Sequence, residues 1–369
     1  MDRLKTSKLV ILGSTGSIGV NTLILAERYC IEVEVLVAGK NAALLQEQIE
    51  RFHPKKVVVA DKETAALIKH TGVAYGEAAI VEAIQASSSK MVVNALVGFL
   101  GLRPTLAALA SGKKVALANK ESLVVAGHFI DTSDIIPIDS EHFGLWFLLN
   151  GRKIDKMIIT ASGGAFRDKS REFMEKAALA DVLKHPNWSM GQKITIDSAT
   201  MVNKMFELIE AHWLFHTRFD GMPKFDAFIE TKSIIHALID FADGSSTAHI
   251  AHTDMKLPIS FALGVDSSEK ILKPVNLVEV GSLEFRPIET GRYRIWELKD
   301  EILAHPERGV VINAANEAAI ARFLEKKSGF LDISRDIIRA YKKFENVDAS
   351  TLEAVFEVDR EVRKYVGSF

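Results

Sequence analysis

The chain has 369 residues, 48% apolar and 25% charged, with 46 Lys and Arg against 48 Asp and Glu for a formal balance of −2. This near-neutrality excludes a general nucleic-acid binder but leaves room for a local basic patch facing a small phosphate ester. The single cysteine, Cys30, excludes an intrachain disulfide and a thiolate metal site, and no apolar run reaches the length of a membrane span. The length calls for two or three domains. The N-terminus enters a strand within ten residues, without a signal-peptide core or an Arg/Ser-rich leader, so a cytoplasmic enzyme is expected.

Lys8-Leu9-Val10-Ile11-Leu12 predicts a short buried strand. It runs into Gly13-Ser14-Thr15-Gly16-Ser17-Ile18-Gly19, a helical pattern through Arg28, and a second strand over Ile31–Val37. In such a βαβ unit the first glycine permits the tight turn and the second lets backbone approach a pyrophosphate. The third lets helix and strand pack closely, with the helix N-terminus facing the phosphates. The spacing G-x-x-G-x-x-G is a variant of the commoner one. Its strand–loop–helix setting is what favours a dinucleotide site over a merely structural glycine turn. The second strand ends in Val37-Ala38-Gly39-Lys40-Asn41, which offers no acid for a ribose 2′-hydroxyl and a cation where a 2′-phosphate would lie. NADP(H) is therefore expected over NAD(H), with Lys40 as charge partner; the alternative is a solvated loop lysine.

Strands at Lys56–Ala60, Met91–Val97 and Lys114–Ala118 alternate with helical spacing at Lys62–His70 and Leu102–Ser111. The alternation predicts a mostly parallel, doubly wound sheet with ligands at the carboxyl ends of its strands. Asn119, Lys120 and Glu121 stand at one such end, and Lys120 is placed to meet an anion or a polarised oxygen. At another, Ile135-Ile136-Pro137-Ile138 leads into Asp139-Ser140-Glu141-His142. In extended backbone Asp139 and Glu141 point to the same side, and a hard divalent cation is the usual neutraliser of such a pair. A solvated turn bearing two unrelated acids is the competing reading.

A strand over Lys156–Thr160 ends in Ala161-Ser162-Gly163-Gly164-Ala165-Phe166-Arg167, where small residues let backbone amides and the Ser162 hydroxyl approach a phosphate. His185-Pro186-Asn187-Trp188-Ser189-Met190-Gly191 has neither helical nor strand period and suits a lid that excludes water. After Lys193–Thr200, Ser198 is expected to cap a helix that carries Asn203, Lys204 and Glu207 on one face. The apolar residues around that face imply burial, so these polar groups need partners. Glu207 as a third carboxylate beside Asp139 and Glu141 would complete a hard-cation site, and Lys204, Asn203, Ser198 and Ser162 would hold a phosphate ester.

Phe228–Thr231, Ile234–Phe241 and Ser246–Ala251 predict strands, the last two joined at Asp243-Gly244, with His236 a core histidine or a site neighbour. Lys299–Leu303, Val311–Leu324, Ile333–Phe344 and Ser350–Tyr365 predict a small helical bundle, where Asn313, Asn316 and Glu317 read as structural partners.

The run GSTGSIG, GKN, NKES, DSEH, ASGG-FR, HPNWSMG, DSATMVNKMFELIEA and NAANEA resembles, in order and over essentially the whole chain, the 1-deoxy-D-xylulose 5-phosphate reductoisomerase family. Two departures stand out: Ala165 where the family commonly has Pro, and Ala251-His252-Thr253-Asp254-Met255 in place of G-H-P-D-M. The resemblance implies an α/β fold with an N-terminal Rossmann-like doubly wound sheet (1–145) and a central α/β catalytic and dimerisation domain (146–270) with a lid near 185–192. A linker (271–290) and a C-terminal helical bundle (291–369) follow. It implies NADPH- and metal-dependent (Mg²⁺, Mn²⁺ or Co²⁺) conversion of 1-deoxy-D-xylulose 5-phosphate into 2-C-methyl-D-erythritol 4-phosphate, in the non-mevalonate route to isoprenoids, by a homodimer.

Carried over by motif, the metal ligands are Asp139, Glu141 and Glu207. The catalytic residues are Lys120, Glu141 and His185. Substrate contacts are Ser140, Ser162, His185, Trp188, Ser198, Asn203, Lys204 and Glu207. The cofactor set is Thr15, Gly16, Ser17, Ile18, Gly39, Lys40, Asn41, Asn119, Glu121, Met190, Gly191 and Met255, with the two methionines near the nicotinamide. The rival expectations are a metal-independent NADPH dehydrogenase of another small phosphorylated substrate and a non-catalytic NADPH-binding protein.

Overall fold

The computed structural model describes residues 6–216, 219, 221–265 and 268–369. By contacts the chain falls into two compact units. The first takes Met1–Asn119, Asp131–Phe143 and Asp254–Lys273, and the second takes Lys120–Ile130, Gly144–Thr253 and Pro274–Phe369. Each unit is thus built from segments distant in sequence, and 254–273 folds with the N-terminal one.

In the first unit, β1 (Lys8–Leu12), β2 (Glu32–Val37), β3 (Lys56–Val59), β4 (Val73–Tyr75), β5 (Met91–Asn94), β6 (Lys114–Leu117) and β7 (Ile135–Pro137) form one sheet. Its order is β4-β3-β2-β1-β5-β6-β7, and every pairing is parallel. The runs are β-branched and buried on both faces, as an all-parallel sheet demands. Leu9, Ile11, Leu36, Val57 and Val93 join Ile259 and Leu263 in one apolar core. The strand order reverses between β1 and β5, which places a crevice above the carboxyl end of β1. The helix expected over Lys62–His70 is a single turn, Lys62–Ala65, capped by Asp61.

Two glycines of the first loop are required by space. Gly13 has φ +85°, and a Cβ there would fall 2.5 Å from the Ala95 carbonyl oxygen. A Cβ on Gly19 would fall 2.3 Å from the Gly13 oxygen and 2.5 Å from Ser14 Cα, so the Ser17–Arg28 helix lies directly on the turn. At Gly16 only the Gly13 oxygen is near, at 3.4 Å. Gly19→Ala is therefore expected to lower unfolding stability by about 2–3 kcal/mol, measured by urea denaturation, and Gly16→Ala by much less. Equal midpoints for the two variants would refute the packing role.

In the second unit, β8 (Ile154–Ala161), β9 (Lys224–Glu230), β10 (Ile235–Phe241), β11 (Ser246–Ile250) and β12 (Phe285–Arg286) form a sheet in the order β11-β10-β8-β9-β12. Only the β8–β9 pairing is parallel. The β10–β11 hairpin turns at Asp243-Gly244, with Gly244 at φ +86°. Helices Gly309–Leu324, Phe330–Lys343 and Leu352–Gly367 pack on one another, as their apolar spacing predicts.

Candidate active site

Of the cofactor residues expected in the first unit, those from Thr15 to Asn41 lie beyond the carboxyl ends of β1 and β2. The backbone N–H groups of Gly13 and Ser14 both donate to the Val37 carbonyl at 2.8 Å, tying the two strand ends together. Gly16 and Ser17 are exposed at the N-terminus of the Ser17–Arg28 helix, with Thr15 and Ile18 half-buried beside them. Gly39 and Lys40 are exposed beyond β2. Lys40 Nζ lies 3.1 Å from Asp61, a partner the sequence reading missed. Asp61 is held down to about 2 by the Thr64 hydroxyl and N–H, with Lys40 adding to them. Asn41 caps the Ala42–Phe52 helix by accepting from Leu44 N–H, and Asn119 donates to the Leu96 and Gly98 carbonyls at 2.9 Å. Both asparagines therefore shape loops at the carboxyl ends of the sheet's strands. Met255 immediately precedes the Lys256–Ala262 helix and packs on the core of this unit.

The Asp139–Glu141 pair is not in extended backbone. β7 ends at Pro137, Phe143 N–H donates to the Asp139 carbonyl at 2.9 Å, and residues Ser140–Leu148 are helical. Period two fails here because the backbone hydrogen bond starts a helix one residue after Asp139. The two acids instead share a helix N-terminus, where the positive end of the macrodipole favours carboxylates. Ser140 Oγ donates to Glu141 Oε2.

In the second unit, β8 delivers Ser162, Gly163 and Gly164. Both glycines have positive φ, +86° and +66°, and a Cβ on Gly164 would fall 2.6 Å from the Ser198 carbonyl oxygen. Arg167 Nη1 donates to the Ser162 and Thr231 carbonyls, at 2.9 and 2.8 Å, and the Tyr293 hydroxyl donates to the Gly163 carbonyl at 2.7 Å. The loop is thus anchored by two side chains that the sequence reading gave no role, and neither depends on the residue at 165.

Ser198 does not cap a helix; it lies inside one, Gln192–Thr200. The chain turns at Met201, with φ +69°, before the second helix, Val202–Phe215. The capping expectation failed because Ser198 is compatible with both positions and the break comes three residues later. This placement aims Ser198 at His185. His185 Nε2 is 2.8 Å from Ser162 Oγ and 3.2 Å from Ser198 Oγ. Its Nδ1 accepts from the N–H groups of Asn187 at 3.2 Å and Trp188 at 2.9 Å, so the proton sits on Nε2. Burial, with Arg167 and Lys204 nearby, pushes the imidazole down to about 4. Asn187 also donates to Thr231 O and Ser233 Oγ, and the Trp188 ring stands edge-on to His236, which is buried. Met190 is half-buried and Gly191 exposed at the end of this irregular loop.

The Val202–Phe215 helix carries the expected face. Glu207, 1% exposed, accepts from Lys120 Nζ at 3.1 Å and from Asn203 Nδ2 through Oε1, and from Lys204 through Oε2. Lys120 Nζ also donates to Asn203 Oδ1 at 2.9 Å. One carboxylate therefore stands among two buried ammoniums and an amide. Such an arrangement binds anionic oxygen and steadies charge that develops on it. Glu121, next to Lys120, accepts from Lys193 Nζ at 2.7 Å; burial opposes its charge, but Lys193 outweighs it and the carboxyl lies below its usual range.

Family models cover most of the chain. That for 1-deoxy-D-xylulose 5-phosphate reductoisomerase matches residues 9–127, that for its C-terminal domain residues 135–215, and that for the DXP reductoisomerase C-terminal domain residues 250–365. A 1-deoxy-D-xylulose 5-phosphate reductoisomerase of Nautilia profundicola is 60% identical over 368 residues, covering 98% of this chain and 99% of its own.

The chain belongs to the 1-deoxy-D-xylulose 5-phosphate reductoisomerase family.

The reductoisomerase of Wolinella succinogenes is 49% identical, covering 97% of this chain and 99% of its own. Among solved reductoisomerases, a complex with NADPH, fosmidomycin and magnesium superposes with a TM-score of 0.90 at 33% identity, covering 98% of each chain. The Zymomonas mobilis enzyme in complex with NADPH gives 0.85 at 34% identity, again with 98% of each covered. The α/β architecture, with its Rossmann-like sheet and C-terminal helices, is that of the reductoisomerases. Among the described residues no helix is long and apolar enough to cross a membrane.

Proposed function

We propose that this chain is the enzyme its family name describes. It carries out the NADPH- and divalent-metal-dependent isomerisation and reduction of 1-deoxy-D-xylulose 5-phosphate to 2-C-methyl-D-erythritol 4-phosphate, in isoprenoid biosynthesis. The observation that carries the reading is Glu207 buried between Lys120 and Lys204, in a chain 60% identical to a reductoisomerase over nearly its whole length.

The glycine loop of β1 suits the pyrophosphate of NADPH, Lys40 its 2′-phosphate, and Met190 and Met255 its nicotinamide end, with Gly191 also among the cofactor residues. Asp139, Glu141 and Glu207 offer hard oxygen donors and no sulfur, which fits Mg²⁺, Mn²⁺ or Co²⁺. When bound, such a cation supplies Lewis-acid stabilisation of charge on the substrate's ketone and hydroxyl oxygens. Ser162, Ser198, Asn203, Lys204 and the Nε2–H of His185 hold the phosphate, with Ser140 beside the metal ligands. Lys120 donates toward oxygen at the reacting carbons, and Trp188 covers them against water. In sequence order, 1–145 takes the cofactor, with Met255 added from the segment that packs in the same unit. Residues 146–270, with Lys120, Asp139 and Glu141 added from before them, do the chemistry and form a homodimer contact, with a lid at 185–192. Residues 271–290 link them to the helical domain 291–369. The enzyme works in the cytoplasm.

The test is NADPH oxidation with 1-deoxy-D-xylulose 5-phosphate and Mn²⁺, then with excess EDTA. Turnover lost on chelation and restored by metal is expected. Turnover that persists through chelation would favour a metal-independent dehydrogenase, and NADPH binding without turnover a non-catalytic protein.

A further inference from the structure

Beside the proposed phosphate and Lys120 sites runs a second chain of buried polar groups, in which only Glu121, expected among the cofactor residues, has been given a role. Lys193 Nζ donates to Glu121 Oε1 at 2.7 Å and to Asp197 Oδ2 at 2.9 Å, and it sits 5.2 Å from the centre of the Phe206 ring. Asp197, 2% exposed, also accepts from Asn316 Nδ2 at 2.7 Å. Asn316 is fully buried in the Gly309–Leu324 helix, and its neighbour Glu317 accepts from Arg363 of the last helix at 2.8 Å. The Gly309–Leu324 helix also touches the Glu121–Ala126 helix closely, since a Cβ on Gly309 would fall 2.1 Å from the Val124 carbonyl oxygen.

Two of its members stand beside residues of the proposed site. Glu121 follows Lys120, and Asp197 precedes Ser198. Lys120 reaches the Val202–Phe215 helix through Asn203 and Glu207, while Glu121 reaches the Gln192–Thr200 helix through Lys193. The two helices are therefore pinned to one corner of backbone at two points. Two carboxylates flank one ammonium here. Removing the ammonium would set the buried carboxylates Glu121 and Asp197 against each other, and breaking buried pairs in this way is costly.

We propose that Lys193 is a positioning residue. Bridging Glu121 and Asp197, it fixes the distance between the Lys120 corner and the Ser198 helix, and Asn316 extends this clamp into the C-terminal helices. The proposal rests on Lys120 and Ser198 being active-site residues.

The test uses the full-length protein with Mn²⁺ and compares Lys193→Met, Lys193→Arg and Glu207→Gln. Lys193→Met is expected to lower kcat/KM for 1-deoxy-D-xylulose 5-phosphate by roughly 30-fold, within the hundredfold that a 1 Å misplacement costs. The loss should appear in both kcat and KM, well below the melting temperature and with unchanged circular dichroism. Lys193→Arg, which keeps the bridge, should recover to within about fivefold of the parent. If Lys193→Met does not fold, Asn316→Leu serves in its place, with substrate KM raised about three- to tenfold at constant far-UV circular dichroism. A folded Lys193→Met within about threefold of the parent, or an Asn316→Leu with unchanged KM, overturns the proposal. Full activity in Glu207→Gln would instead overturn the active-site reading. An inactive Glu207→Gln beside an unimpaired Lys193→Met would overturn the clamp alone.

Discussion

Glu207→Gln should lower kcat by about a thousandfold or more while NADPH affinity stays near that of the parent. The change keeps the side chain's volume and removes its charge. In the parent, Oε1 accepts from Lys120 and Asn203, and Oε2 from Lys204. A glutamine must turn an NH₂ toward one of these donors, so at least one of them loses the carboxylate oxygen it donates to. Taking one partner out of a buried ion pair costs up to about 3–5 kcal/mol, and the variant should be measurably less stable. Activity must therefore be read well below its melting temperature. The same variant loses one hard oxygen donor of the proposed metal set. Mn²⁺ affinity, followed by electron paramagnetic resonance, should fall by about tenfold or more independently of turnover. Mn²⁺ binding and kcat both within threefold of the parent would remove Glu207 from the site.

His185→Ala should raise KM for the substrate by roughly ten- to hundredfold, since a hydrogen bond to a charged group is worth about 1.5–3 kcal/mol. The parent's pH dependence follows from the same geometry. Nδ1 accepts two backbone N–H groups, so a proton there would break both contacts and release the loop at Asn187 and Trp188. Burial, seconded by Arg167 and Lys204, holds the imidazole at about 4 against an ordinary 6.5. Between these values the unfolded chain binds a proton that the folded loop refuses. The contribution to stability is thus fully present above about 6.5 and falls as pH drops toward 4. Protease sensitivity of the 185–191 loop should accordingly rise as pH falls across this window, and nitrogen NMR of the histidines should show the Nε2–H tautomer at neutral pH. A His185 that titrates near 6.5 would sink this account.

Local patterns settled what local chemistry controls. Gly13 and Gly19 could be assigned from spacing, because a strand–turn–helix this tight leaves no room for a Cβ. Asn203, Lys204 and Glu207 were legible as one face because i, i+3 and i+4 meet on any helix, and the apolar residues around them implied burial. The reductoisomerase motifs were legible for the same reason: each is a short run whose chemistry is carried by neighbouring residues.

Tertiary structure decided the rest. Whether Asp139-Ser140-Glu141 is extended or helical depends on one backbone hydrogen bond from Phe143, which no periodicity records. Two partners of Lys120 lie 83 and 87 residues away, one of Glu121 lies 72 away, and the Asp197–Asn316 contact spans 119. The proton on His185 Nε2 is fixed by two N–H groups that face it only once the loop is closed on itself. Sequence spacing orders side chains along one element. Which charge meets which across elements is set by packing, where burial makes the wrong partner too costly to keep.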